Sequence, residues 1–178
     1  ANSNNEAFEN DGQRSAFQRY LEHGGGFVGI HSSAGSERSW NWFQQMQGGK
    51  FLRHPPLQEF TIAVVDRQHP ATRHLPPRWT WTDECYFFTN VNPSIRVLLA
   101  LDPTTLRDPR LPTEPGEKVG DLFPLAWCQD VRGSRRFYTS LGHKIAHYSD
   151  PTYRQHLQGG LRWVVDGSGP NPRSTSKP

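Results

Sequence analysis

The sequence predicts a layered α/β domain, and three patterns along the chain lead to this prediction. Short apolar runs that fit buried strands alternate with segments whose apolar residues recur at helical spacing. Glycine, proline and polar residues separate these segments and mark turns. At 178 residues the chain has room for one such domain and too little for two of ordinary size. We therefore expect strands and helices in one set of packed layers.

The first elements are a helix, a strand and a second helix. Apolar residues at helical spacing predict a helix over 13–23, and three glycines at 24–26 are typical of its end. The apolar run Phe27–Ile30 predicts a buried strand. A polar turn follows, and a second helix is expected near 39–47 with Ser39 as its N-cap.

The remaining elements are mostly strands. Apolar runs and alternation predict extended segments, a long surface loop and a hairpin joined at Arg132-Gly133. Asp150 as N-cap and Pro151 at the first helical position predict the start of a last helix. The expected ranges are strands at 59–66, 79–88 and 96–101, a loop at 102–121, hairpin strands at 124–131 and 134–141, and a helix at 150–165.

Composition sets the domain limits and excludes several classes of protein. We expect a flexible polar arm over 1–12, the domain over 13–166, and a disordered tail over 167–178, which is rich in Ser, Pro and Gly. No apolar run reaches the length of a membrane span and no signal peptide is visible, which predicts a cytoplasmic protein, although the N-terminus lacks Met. The sixteen Arg are scattered and the net charge is +3, which argues against nucleic-acid binding. Cys85 and Cys128 are expected to be reduced and buried.

The turn after the first strand is the strongest candidate for a functional site. In open α/β sheets, ligands bind at turns that follow the carboxyl ends of strands, and here that turn is His31-Ser32-Ser33. An imidazole at this place can act as a general base or a metal ligand. Ser32 and Ser33 are expected to hydrogen-bond a ligand or the next helix. A nucleophilic serine stays an alternative, although the GxSxG spacing of a nucleophile elbow is missing.

Several stretches carry a resemblance to a known family, the ThuA-like or trehalose-utilisation proteins. They are GGGFVGIHSSAG (24–35), WNWFQQMQGGKFLRHPP (40–56), HPATRHLP (69–76), WTDECYFF (81–88), PLAWCQDVRGSRRFYTSLGH (124–143) and YRQHLQGGLRW (153–163). The resemblance spans about residues 12–166 with the motifs in consistent order. It implies a flavodoxin-like, class I glutamine amidotransferase-like three-layer sandwich and a role in the metabolism of disaccharides and keto-sugars.

The chain departs from this resemblance in two respects. Amidotransferases carry a nucleophilic Cys in the turn where this chain has His31, so thiolate glutaminase chemistry is excluded. The family's domain also begins with about two more strand–helix units. We therefore expect an N-terminally truncated sandwich, and a homodimer or higher assembly that covers the exposed edge of its sheet.

The resemblance and the residues together predict the site. His31, His143 and Glu84 are the catalytic candidates, because Glu84 lies among aromatic residues that raise a carboxyl pKa and His143 follows a late strand, like the amidotransferase histidine. Strand alternation places Glu84 and Tyr86 on one face, opposite Asp83. The residues expected to contact the substrate are Ser32, Ser33, Tyr86, Trp42 and Trp127.

A divalent metal such as Zn²⁺ is a candidate cofactor. His54 and His69 each precede a proline, which holds their backbone extended, and with His31, Glu84 and His143 they offer enough ligands. No HExxH motif is present.

The predicted function is conversion of a sugar or keto-sugar by histidine-based acid–base chemistry, as isomerisation or hydrolysis. Two alternatives remain: a non-catalytic carbohydrate-binding or assembly module, and a serine-dependent amidotransferase-like hydrolase.

Overall fold

The computed structural model describes residues 5–167, which form an α/β domain. Its helices are α1 (Asp11–Glu22), α2 (Asn41–Gln47) and α3 (Pro151–Gly167). Its strands are β1 (Phe27–Ile30), β2 (Lys50–Arg53), β3 (Gln58–Val64), β4 (Arg78–Asp83), β5 (Phe87–Thr89), β6 (Arg96–Leu101), β7 (Pro124–Val131) and β8 (Ser134–Thr139). Short 3₁₀ helices cover His31–Gly35, Pro103–Thr105 and Ile145–Ser149. The predictions for residues 1–4 and 168–178 lie outside the described residues.

Six strands form the central sheet, in the order β1-β8-β7-β6-β3-β4. Within residues 5–167 the pair β1–β8 is parallel and the other neighbours in this sheet are antiparallel. Most neighbouring strands in this sheet are therefore antiparallel. The connections explain this, because no α-helix separates β3 from β8 and parallel neighbours need a long crossover. β2 and β5 form a separate antiparallel pair.

Both faces of the sheet are buried. In β8 the neighbouring residues Phe137 and Tyr138 point to opposite faces, as strand geometry requires. Phe137 belongs to a core that includes Phe60, Leu98 and residues of α3. Tyr138 belongs to an aromatic core on the other side, with Tyr86, Phe88 and Trp127. This second core lies beneath the candidate site.

The helices begin and end close to the predicted residues, with two differences. Asn10 caps α1 by accepting the N–H of Gln13, so the helix begins at Asp11 inside the expected arm. α2 begins at Asn41 with Trp40 as its N-cap, and Ser39 does not cap it. α3 begins as predicted, with Asp150 accepting the N–H of Tyr153, and it extends to Gly167. No helix within residues 5–167 is long and apolar enough to cross a membrane.

The irregular segment before α1 is attached to the domain by one buried carboxylate. Glu37 accepts the backbone N–H groups of Ala7 at 2.6 Å and Phe8 at 3.0 Å, and it also accepts Nε of Arg14 at 2.9 Å. The Phe8 ring packs edge-on against Trp40. This part of the arm therefore has a defined position on the domain.

Strand β1 lies at one edge of the sheet, beside an apolar groove. Among the residues that line the groove, Tyr20, Leu161 and Val165 are exposed. The expected assembly through this edge stays a prediction.

Two neutral histidines within the core make stability depend on pH. His69 and His156 are buried, and burial lowers the pKa of each to about 4. In the unfolded chain a histidine titrates near 6.5, so between about pH 6.5 and 4 the unfolded state binds more protons. We therefore expect the free energy of unfolding to fall as pH falls through this window, by up to about 1.4 kcal/mol per pH unit for each histidine.

Urea unfolding at pH 7, 6 and 5 measures this slope above the range in which most carboxylates titrate. The variant His156→Gln is the comparison, and its slope should be smaller whatever its absolute stability. Equal free energies of unfolding at pH 7 and pH 5 in the unmodified protein would contradict the prediction.

Candidate active site

The turn after β1 holds His31 in an unusual backbone conformation. Its φ of 45° is in the left-handed region, which few non-glycine residues adopt and which is concentrated at functional sites. The hydroxyl of Tyr138 donates to the His31 carbonyl at 2.8 Å and fixes this turn. The parallel pairing of β1 with β8 brings Ser140 alongside, and its carbonyl lies 2.7 Å from His31 Nδ1. Because a carbonyl only accepts, Nδ1 carries the proton and Nε2 of the neutral ring is free of one.

Glu84 and Tyr86 approach His31 from the segment between β4 and β5. The Tyr86 hydroxyl lies 2.9 Å from His31 Nε2, and the two rings are 4.4 Å apart between centroids. Oε2 of Glu84 lies 3.3 Å from the same Nε2. Glu84 and Tyr86 thus face one site, while the carboxylate of Asp83 lies behind it.

His143 completes the group from the turn after β8. Its Nδ1 lies 3.2 Å from Glu84 Oε2, so both imidazoles approach the same carboxylate oxygen. The turn depends on Gly142, whose φ of 115° suits glycine. Asp83 holds the turn, since its two oxygens accept the N–H of Gly142 at 2.8 Å and of His143 at 3.3 Å.

Burial controls the protonation of the two inner groups. It lowers the pKa of His31 below the ordinary 6.5, against the opposing effects of the Ser140 carbonyl, Asp83 and Glu84. It raises the pKa of Tyr86 well above the ordinary 10, with Glu84 acting in the same direction. At neutral pH His31 is therefore a neutral base and the Tyr86 hydroxyl keeps its proton.

The site opens towards His143 and His54. The exposed fraction of the side chain rises from 6% at His31 to 14% at Glu84 and 43% at His143. His54 is 33% exposed and its Nε2 lies 3.7 Å from Glu84 Oε2, while its Nδ1 faces the carbonyl of Pro55 at 2.8 Å. His143 and His54 therefore form the side of the group that is nearest to solvent.

Three residues expected to contact the substrate pack elsewhere. Trp127 is fully buried and its Nε1 donates to the carbonyl of Gln47 at 2.8 Å, which places this expected substrate contact in the core. Trp42 stacks on Trp40 with ring centroids 4.9 Å apart and packs against α1. Ser33 is fully buried. In the orientation of the Gln47 amide that satisfies its neighbours, the amide nitrogen donates to Ser33 Oγ. Ser32 is half-buried.

His69, which was expected as a metal ligand, lies apart from this group. Its ring packs between Phe137 and Trp163, on the face of the sheet that α3 covers, and its Nδ1 accepts the N–H of Ala71. The physical reason is the segment 69–72, which forms a turn beneath α3. Within residues 5–167, the group whose ligand atoms all lie within 4.8 Å of one another is His31, Glu84 and His143.

The sequence did not indicate the part that Asp83 plays. Besides the two N–H groups of the turn, its carboxylate accepts the N–H of Glu84 at 2.9 Å and Nε1 of Trp81 at 3.0 Å. His147 Nδ1 lies 3.3 Å from it. The spacing of Trp81 and Asp83, two residues apart on one strand face, was the available signal.

Comparison with known proteins shows similarity to one family. A sequence model of the ThuA family, described as trehalose utilisation, matches residues 1–164. A ThuA-like protein of known structure from Bacteroides uniformis ATCC 8492 is 30% identical, with a TM-score of 0.70 over 92% of this chain and 68% of that one. A second, from Parabacteroides merdae ATCC 43184, is 21% identical, with a TM-score of 0.67 over 93% and 69% of the two chains, and shows the same fold. No curated protein matches the sequence.

These similarities assign both the fold and the family. The domain has the class I glutamine amidotransferase-like fold of the ThuA-like proteins, and the family name associates it with carbohydrate metabolism. The chain belongs to the ThuA, or trehalose-utilisation, family.

Proposed function

We propose that this protein converts a keto-sugar, derived from a disaccharide, by moving protons at the carbon next to the carbonyl. One observation carries the proposal: His31, Glu84 and His143 come from three separate turns and meet at one partly open point. Convergent ionisable groups with a shifted pKa in a cleft are typical of acid–base sites. The family's association with carbohydrate metabolism supplies the substrate class.

The two imidazoles are suited to different proton transfers. His143 is the more exposed, and in the proposed reaction it takes the proton from the carbon beside the carbonyl and returns it to the neighbouring carbon. His31 is held neutral, and its Nε2 moves a proton from the hydroxyl of one carbon to the carbonyl oxygen of the other. The intermediate is an enediol, and the net result is isomerisation with no proton gained or lost.

Glu84 and Tyr86 support these transfers. Oε2 of Glu84 lies between the two rings and stabilises whichever of them carries the extra proton. The Tyr86 hydroxyl keeps its proton at neutral pH and can donate a hydrogen bond to the substrate oxygen as negative charge develops there. Hydrolysis is the alternative reaction, in which the same groups would move protons to and from a water molecule instead of the second carbon.

The expected result is proton exchange that depends on both histidines. With a 3-keto-glucoside or 3-keto-trehalose in D₂O, proton NMR should show deuterium entering the carbon next to the carbonyl. His31→Ala and His143→Ala should each slow this exchange by about a hundredfold or more, as expected when an acid–base group is removed.

His23→Ala is the matched control, because His23 is an exposed histidine at the end of α1 and should leave the rate unchanged. If the unmodified protein binds the keto-sugar without exchange or product, the proposal of an enzyme falls and the protein is a carbohydrate-binding module. Release of a free sugar instead of an isomer would identify the reaction as hydrolysis. Inactivation by serine-directed reagents would support the serine-dependent hydrolase, against which the burial of Ser33 argues.

A further inference from the structure

We infer that His31 Nε2, Glu84 Oε2 and His143 Nδ1 form a binding site for one divalent cation of the zinc class. The inference goes beyond the proposed function, which requires no metal. The three atoms lie within 4.8 Å of one another and come from the turn after β1, the segment after β4 and the turn after β8. Two imidazoles and one carboxylate are a ligand set that Zn²⁺ and other first-row cations favour.

The strongest argument is that two acceptors face each other at short distance. His31 Nδ1 gives its proton to the Ser140 carbonyl, so Nε2 presents a lone pair. Glu84 Oε2, an acceptor when ionised, lies only 3.3 Å from that lone pair in a largely buried place. The single proton of the Tyr86 hydroxyl can satisfy one of these two atoms at a time. A cation between them satisfies both.

The distances between the three ligand atoms also fit a metal centre. In a tetrahedral zinc site with bonds of about 2.1 Å, ligand atoms lie about 3.4 Å apart. The observed separations from Glu84 Oε2 are 3.3 Å to His31 Nε2 and 3.2 Å to His143 Nδ1. Three protein ligands leave a fourth position for water or a substrate oxygen, as in catalytic zinc sites.

Hydrogen bonds behind the ligands already fix their orientation. Metal-bound histidines commonly donate their second N–H to a backbone carbonyl, as His31 does to Ser140. The backbone of His143 is held by Asp83, which lies outside the group of ligands. The site is therefore organised in the way that metal ligands require.

The test is metal binding without any sugar. Protein treated with EDTA and then dialysed against ZnCl₂ should retain about one equivalent of zinc, and MgCl₂ should not compete, since Mg²⁺ prefers all-oxygen sites. His31→Ala, Glu84→Gln and His143→Ala should each weaken binding by at least about tenfold. His23→Ala, the exposed control, should bind like the unmodified protein. Circular dichroism checks that each variant is folded, and His143→Ala tests the site even if a variant of the buried His31 does not fold.

The outcomes separate this inference from the proposed function. Absence of tight zinc binding, or binding that survives all three ligand variants, overturns the metal site whatever the activity. Binding that depends on the three residues supports it. If that binding is found and proton exchange occurs only in the zinc-loaded protein, the metal site stands and the shuttle through free imidazoles falls. If the EDTA-treated protein also catalyses exchange, both proposals stand.

Discussion

Asp83→Asn is expected to lower the free energy of unfolding by about 2–4 kcal/mol and to weaken the function of the site at least about tenfold. The carboxylate is fully buried and accepts four N–H groups, from the indole of Trp81 and the backbones of Glu84, Gly142 and His143. Asparagine keeps one acceptor oxygen and introduces an NH₂ group. That NH₂ group would face N–H donors, and two or more buried donors would lose their partner.

The functional loss should exceed what the loss of stability explains. Asp83 contacts neither the substrate side of His31 nor the opening of the site, but it fixes the turn that carries His143 and the backbone of Glu84. At a temperature where the variant is still folded, we expect proton exchange and zinc affinity to fall at least about tenfold, as for other residues that orient ligands. Guanidinium unfolding, NMR exchange and zinc dialysis measure the three quantities.

Asp130→Asn is the matched control. Asp130 also accepts a backbone N–H, from Gly133 at 3.1 Å, and pairs with Arg135, but its side chain is 49% exposed. Water can replace its partners, so the change in stability should stay below about 1 kcal/mol and the site should be unaffected. An Asp83→Asn protein as stable and active as the Asp130→Asn protein would show that the carboxylate does not organise the site.

The local parts of the site could be predicted from the sequence because each depends on neighbouring residues. A buried strand followed by a polar turn placed His31. The expected strand 79–88 is divided into β4 and β5, and Glu84 and Tyr86 lie in the segment between them, but both contact His31 from one side, at 3.3 Å and 2.9 Å. The hairpin at Arg132-Gly133 was also predicted from the sequence. In the structure both residues have positive φ, as two-residue turns between twisted strands require.

The remaining features depend on residues that are far apart in the chain. Trp127 and His69 are types that occur both in cores and in sites, and their burial is set by contacts with Gln47 and α3 that no local pattern contains. The role of Asp83 requires the turn at Gly142, 59 residues later. The antiparallel order of β3, β6 and β7 likewise follows from long-range pairing. The hydrophobic pattern of a strand indicates which of its residues are buried, but not which strand lies beside it.

Gly159→Ala is expected to lower the free energy of unfolding by at least about 2–3 kcal/mol, which is opposite to the usual effect of this substitution in a helix. Alanine favours an α-helix over glycine by about 1 kcal/mol, so helix propensity alone predicts stabilisation. Gly159, however, lies where α3 crosses the turn at 69–72, and a Cβ there would stand 2.2 Å from the carbonyl oxygen of Pro70. Backbone cannot rotate away as a side chain can, so α3 must move.

That movement would break a buried hydrogen bond as well. His156, one turn earlier in α3, bonds through Nδ1 to the carbonyl of Ala71 at 2.8 Å, so displacement of the helix would break this hydrogen bond too.

Gly49→Ala is the matched control, because a Cβ there meets its nearest atoms at 3.7 Å and should change stability by less than about 1 kcal/mol. Thermal unfolding should place Gly159→Ala several degrees below both the control and the unmodified protein. A variant at or above the unmodified midpoint would mean that α3 does not pack directly on the Pro70 backbone. Zinc affinity measured well below the midpoint should be unchanged, since Gly159 lies on the face of the sheet opposite the cluster of His31, Glu84 and His143.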